Sequence, residues 1–167
     1  FIKNLTNQDE SNQIPGDAVD IQVAVGNENY TTDHDDKISI NFTKTGNKWQ
    51  SSIKVRITNN SDNDLYCAAL YLASDFRSST GFLNPPVYLL ERNNSVELTV
   101  KGNSTIPIYL DDVMKWFNWH HQTDCIKFII STGIFDSEAL NLEKLPSPHL
   151  PGAQMRALKA GIGDEEM

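Results

Sequence analysis

Between Trp49 and Ala73 the chain reads WQSSIKVRITNNSDNDLYCAALYLA, and the two halves of this stretch behave differently. In residues 49–58, Ile53, Val55 and Ile57 alternate with polar residues, the period of an antiparallel strand with one face on a core. Residues 65–73 are apolar almost throughout, as in a strand buried on both faces. The segment between them, Asn59-Asn60-Ser61-Asp62-Asn63-Asp64, is a turn, because Asn and Asp accept left-handed backbone and close Asx turns.

The flanking sequence repeats the pattern. Upstream, residues 19–25 (VDIQVAV) alternate, and residues 37–43 (KISINFT) place Ile38, Ile40 and Phe42 on one face. Downstream, residues 87–91, 95–100, 104–110 and 125–132 form further β-type runs, the last (CIKFIIST) the strongest in the chain. Asn93-Asn94 and Gly102-Asn103 separate them. Pro107 cannot donate to a ladder, which makes its strand an edge or a bulged one. Residues 111–118 (DDVMKWFN) predict a short helix, capped by Asp111 or Asp112, with Val113, Trp116 and Phe117 on one face. About eight short strands with frequent turns predict an all-β fold, an antiparallel β-sandwich with one or two short helices. Residues 1–17 predict a flexible acidic leader, residues 18–145 the sandwich, and residues 146–167 a Pro-led linker or tail, in which residues 153–160 (AQMRALKA) have fair helix propensity.

The 167 residues suffice for one core, and the apolar fraction, 39% or about 44% with the nine glycines, sits just under the globular norm. The net charge is −8, but residues 1–36 hold eight acids against Lys3 alone, so the acidity belongs to one end and the remainder is nearly neutral. An acidic chain with no basic stripe is not expected to bind nucleic acid. No apolar run reaches the ~18 residues of a membrane-spanning helix, and no secretory leader pattern is present, so no membrane partner is expected. The chain starts at Phe1 rather than Met, as a piece of a longer protein would. Asn4, Asn29, Asn41, Asn59, Asn93 and Asn103 each open an Asn-X-Ser/Thr triplet; these are glycan acceptors in a secreted protein and chance matches in a chain this rich in Asn, Ser and Thr.

Candidate chemistry is sparse. Cys67 and Cys125 both lie in apolar runs and read as buried, reduced core thiols; a nucleophilic role for Cys125 would need His120 or His121 beside it and an oxyanion hole. Asp33-His34-Asp35-Asp36, or His120-His121 with Asp111 or Asp112, contains metal-ligand types without zincin or zinc-ribbon spacing, and a solvated turn is the simpler reading of residues 33–36. Trp116 and Trp119, with Phe117 between them, suit either a binding platform or the packing of a small helix across the open end of a sandwich. Neither a Gly-rich phosphate loop nor a Gly-x-Ser-x-Gly elbow occurs. These residues predict no catalytic, cofactor or metal site.

Three linked segments carry a family resemblance: IKVRITNNSDNDLYCAALYLASDF (53–76), VYLLERNNSVEL (87–98) and TDCIKFIISTGIFDSEALNLEKL (123–145). In this order, over about residues 37–145, the chain resembles the β-sandwich domain that follows the peptidase domain in many bacterial caspase-like, metacaspase-related proteins. The resemblance implies a non-catalytic accessory module, cytoplasmic, working beside a caspase-like peptidase in cis or trans, or binding another protein or a substrate. The family's protease carries a His-Gly segment and a Cys in an Asp-Cys-x-Ser-Gly-like turn. This chain has no His-Gly, and Asp124-Cys125-Ile126-Lys127 lacks the small residues, so the dyad transfers to no position here. Asp124 and Lys127 flank the strongest strand, where they would pair with a neighbour or fix its start, and Asp136 would cap the turn that follows. Metacaspase relatives often cleave after Arg or Lys, which marks Arg156 and Lys159 in the tail as processing positions. A carbohydrate-binding sandwich using Trp116 and Trp119 is the alternative function, and a free-standing hydrolase using Cys125 and His120 is a third.

Overall fold

A computed structural model describes residues 14–32, 37–73, 77–110, 115, 117–118 and 120–143. The fold is all-β, a sandwich of two antiparallel sheets. Its strands are β1 (Val19–Val25), β2 (Thr43–Thr45), β3 (Lys48–Asn59), β4 (Leu65–Leu72), β5 (Ser78–Ser79), β6 (Tyr88–Leu90), β7 (Ser95–Glu97), β8 (Ile106–Tyr109) and β9 (Cys125–Ser131).

Each sheet is built on one long strand. In the first, β3 pairs with β1 and β2 along one edge and with β7 and β8 along the other. In the second, β4 pairs with β9 on one side and with β6 and β5 on the other. The alternation of residues 49–58 is what sorts β3 into faces. Ile53, Val55 and Ile57 point inward, opposite Val25, Val23 and Ile21 of β1. They meet Cys67 and Ala69 of β4, with Leu90, Leu98 and Ile106, in one core. The even-numbered residues of β3 form the outer face, where Arg56 lies between Gln22 and Glu97.

The strand β4 is buried on both faces as its composition predicts: Cys67, Ala68, Ala69 and Leu70 are all fully buried. Cys67 and Ala69 face the core, while Ala68 and Leu70 face away from it. The chain after β9 accounts for that second covering. Ser131 stands opposite Tyr66 at one end of β4, and Leu142 bridges to Ser78 at the other end and the other edge. The inner face is filled, so the intervening residues cross the outer face of the sheet.

Pro107 sits in β8, an edge strand paired only with β3, as its missing N–H requires. The β2–β3 hairpin turns through Gly46 and Asn47; Gly46 has φ +61, the left-handed first position of a two-residue II′ turn.

Two expectations are corrected. Residues 37–42 form no strand, and pairing begins only at Thr43. The β3 edge they would need is taken by β1 from Ile53 to Asn59, which leaves Lys48–Gln50 for β2. Cys125 is half-buried rather than a core thiol, because the odd-numbered residues of β9 face away from the core that Ile126, Phe128 and Ile130 line. The expected helix over residues 111–118 lies mostly outside the described residues, although Lys115 is helical. A 3-10 turn, Glu138–Leu140, follows β9; its N-cap residue is Ser137, and Asp136, one position earlier, accepts from the Glu138 N–H at 2.8 Å.

Candidate interaction surface

The connection from β8 to β9 starts at Tyr109, beside β3, and finishes at Cys125, opposite Leu72 of β4. It therefore crosses one open end of the sandwich, from one sheet to the other. Gln122 and Asp124 anchor its far side. The Gln122 side-chain amide donates to the Tyr109 carbonyl (3.3 Å) and to Asp124 Oδ2 (3.0 Å), and the Tyr71 hydroxyl donates to the same carboxylate oxygen at 2.9 Å. Asp124 thus fixes the start of β9, the role expected of it.

Large apolar side chains are exposed at this end. Trp49 is 41% exposed and Tyr109 49% exposed, with Phe117 of the connection also open to solvent. β3 is longer than β4 and overhangs it here, so Trp49 keeps the inward parity of Ile53 with no described strand of the other sheet over it, while Tyr109, opposite Gln50, projects from the outer face. The Lys48 ammonium lies 5.6 Å from the centre of the Tyr109 ring, a cation–π contact that occupies one face of that ring. Trp116 and Trp119 belong to the same connection but lie outside the described residues, as do Arg156 and Lys159. Trp49 and Tyr109 escaped sequence reasoning because each looks like an ordinary strand aromatic. The signal available was the length mismatch between residues 48–59 and 65–72.

On the outer face of the β3 sheet lies a polar network. Tyr30, from the loop after β1, donates to Glu97 Oε1 at 2.6 Å, and Arg56 Nη2 donates to the same oxygen at 2.9 Å. The Arg56 guanidinium also stacks on the Tyr30 ring at 4.0 Å. Hydrogen bonds from Tyr30 and Arg56 hold the Glu97 carboxyl below the usual Glu range, while burial and the bond to Glu97 push the Tyr30 phenol above its ordinary value. The Arg56 guanidinium is raised chiefly by its bond to Glu97. The three groups satisfy one another, so the network's work is to tie the loop after β1 to β3 and β7.

The thiols are far apart. Cys67 stands opposite Ile130 and Cys125 opposite Leu72, five positions along β4 or roughly 17 Å, well beyond the ~7 Å limit for a disulfide. Burial pushes the Cys67 thiol up to about 11, so it is a protonated core group at neutral pH. Cys125 makes no hydrogen bond to His120 or His121 among the described residues, and both histidines are exposed. No group of three or more His, Cys, Asp or Glu able to hold a metal occurs among the described residues. The Asp33–Asp36 run is outside them. Asn59 is fully buried with both side-chain ends bonded, which removes it as a glycan acceptor in the folded chain. No described helix is long and apolar enough to cross a membrane. Comparison with protein-family models, curated proteins and solved structures returned no match.

Proposed function

We propose that this chain is a non-catalytic interaction module that works beside a caspase-like cysteine peptidase, and that the aromatic end of the sandwich is its contact surface. The observation that carries the reading is the exposure of Trp49 and Tyr109, one on each face of the β3 sheet, with Phe117 in the adjoining β8–β9 connection, at one end of the sandwich. Exposed aromatics at one end of a domain mark binding sites, because Trp and Tyr supply large contact area at small entropic cost. The peptidase partner comes from the family resemblance of residues 37–145. Titrating the chain with a caspase-like peptidase domain from the same organism tests the reading, with Trp49→Ala expected to weaken binding at least tenfold.

The accompanying processing step is tested by mass spectrometry after incubation with that peptidase. Cleavage after Arg156 or Lys159 is the expected product, and intact chain contradicts it.

A carbohydrate-binding role is the second reading, favoured by the exposure of Trp49 and Tyr109 beside the connection that carries Trp116 and Trp119. Against it, Lys48 already covers one of the two faces of the Tyr109 ring on which a sugar could stack. Glycan-induced change in tryptophan fluorescence, with no peptidase binding, would favour this second reading.

A further inference from the structure

We infer that Asn94 is a site of spontaneous hydrolytic modification, where an asparagine converts to isoaspartate and aspartate with water as the co-reactant. Asparagine is chemically labile where the backbone nitrogen of the next residue can reach its side-chain carboxamide. A small following residue leaves that nitrogen open to react. The sequence contains no Asn-Gly pair, and Ser follows Asn at three positions, Asn60, Asn94 and Asn103.

The fold sorts these three. At Asn94 the Ser95 backbone N–H donates to the Asn94 Oδ1 at 2.8 Å. A C=O bond is about 1.2 Å long, so the Asn94 Cγ lies within about 4 Å of that nitrogen. At Asn60 the Ser61 N–H is held by a different carboxamide, donating to Asn59 Oδ1 at 2.9 Å. At Asn103 the side-chain oxygen accepts from the Thr105 N–H at 2.8 Å, which carries the carboxamide past Ser104.

The surroundings leave the Asn94–Ser95 pair free to react. Asn93, Asn94 and Ser95 are exposed, in the turn that leads from β6 into β7. The Asn59 N–H donates to the Asn94 carbonyl at 2.9 Å. Antiparallel ladder bonds fall on alternate residues, so the Ser95 N–H points away from β3, and β7 pairs with no other described strand. No ladder bond has to break before that nitrogen attacks.

The step takes in water and gives out ammonia. Solvent base removes the Ser95 amide proton, the nitrogen bonds to Cγ, and the Cγ–Nδ2 bond breaks. The proton passes to the leaving nitrogen, which departs as ammonia. Water then opens the cyclic imide at either carbonyl. Opening at Cγ restores the ordinary backbone and leaves an aspartate. Opening at the main-chain carbonyl leaves an isoaspartate, whose backbone runs through Cβ and is longer by a methylene. The carbonyl that accepted from Asn59 is then a free carboxylate outside the main chain, and β3 loses its first bond to the β7 segment.

Peptide mapping by mass spectrometry tests this on the folded full chain aged in mildly alkaline buffer, with isoaspartyl methyltransferase labelling to count isoaspartate. Asn94 is expected to convert at least fivefold faster than Asn60 and Asn103, and urea should erase that lead because the fold creates it. Ser95→Val suits a strand but crowds the nitrogen with a branched side chain, and should slow conversion at least tenfold. The isoaspartate form, separated by chromatography, should exchange its Asn59 amide faster than the parent chain. Asn60 or Asn103 matching Asn94 in the folded chain, a lead that persists unchanged in urea, a folded Ser95→Val variant that converts at the wild-type rate, or unchanged Asn59 exchange in the isoaspartate form each overturns the inference.

Discussion

Asn59 closes the six-residue turn from inside. Its amide donates to the carbonyls of Asn63 (2.8 Å) and Leu90 (3.0 Å), and its oxygen accepts from the Ser61 backbone N–H (2.9 Å) and hydroxyl (2.7 Å). One wholly buried side chain thereby ties the end of β3 to β6 in the other sheet. Asn59→Asp keeps the shape but replaces two donors with acceptors that face two carbonyls and a buried charge. The expected cost is about 3 kcal/mol or more, read as a fall in the urea midpoint. Tyr30 offers a gentler test. Tyr30→Phe removes one of the bonds that hold Glu97 ionised, so the Glu97 carboxyl should titrate closer to its ordinary value by NMR, with a loss of about 1 kcal/mol at this part-exposed site. The pH dependence follows from the directions of the shifts. Glu97, lowered by folding, contributes stability that is full above the ordinary Glu range and lost as pH falls through its folded value. Tyr30, raised by folding, contributes stability that is full below the ordinary Tyr value near 10 and lost as pH rises through its higher folded value. The wild-type chain should lose the Glu97 contribution below that window and the Tyr30 contribution above it, and Tyr30→Phe should flatten both limbs.

At the scale of elements, β1 was legible to the residue in VDIQVAV, because Val19, Ile21, Val23 and Val25 meet apolar or buried partners in β3. β3, β4 and β9 were equally readable, since each presents an unbroken period or an unbroken apolar run. β5 was not. Ser78 and Ser79 carry no β signal, and their place is set by partners distant in sequence. The Ser78 hydroxyl donates to the Leu140 carbonyl and accepts from the Leu142 N–H, while Asn141 Oδ1 accepts from the Thr80 N–H (2.8 Å) and hydroxyl (3.2 Å). Residues 37–42 failed in the opposite sense, with a good alternating pattern and no free strand edge to use it. The contacts at β5 latch the segment that crosses the outer face of β4. Asn141→Ala should cost about 1–2 kcal/mol and speed amide exchange at residues 138–142 ahead of the core strands.

For the whole molecule, acidity and apolar exposure have separate addresses. The acids concentrate before Lys37, whereas the exposed aromatics gather at the end where β3 overhangs β4. The candidate surface was only half readable in sequence. The β8–β9 connection drew notice through its tryptophans, but Trp49 became a surface residue only once two strands of unequal length were stacked, and Tyr109 through its register opposite Gln50. The polar network of Tyr30, Arg56 and Glu97 was hidden for a similar reason, because its members are 26 and 41 positions apart and meet only through sheet register. The most direct test of the interaction account is a calorimetric titration with a caspase-like peptidase domain from the same organism, using wild type, Trp49→Ala, Tyr109→Ala and the remote surface variant Leu89→Ala. The account predicts binding that weakens at least tenfold for Trp49→Ala and Tyr109→Ala and is unchanged for Leu89→Ala. Absence of binding by the wild-type chain, or equal affinity for all four, would contradict it.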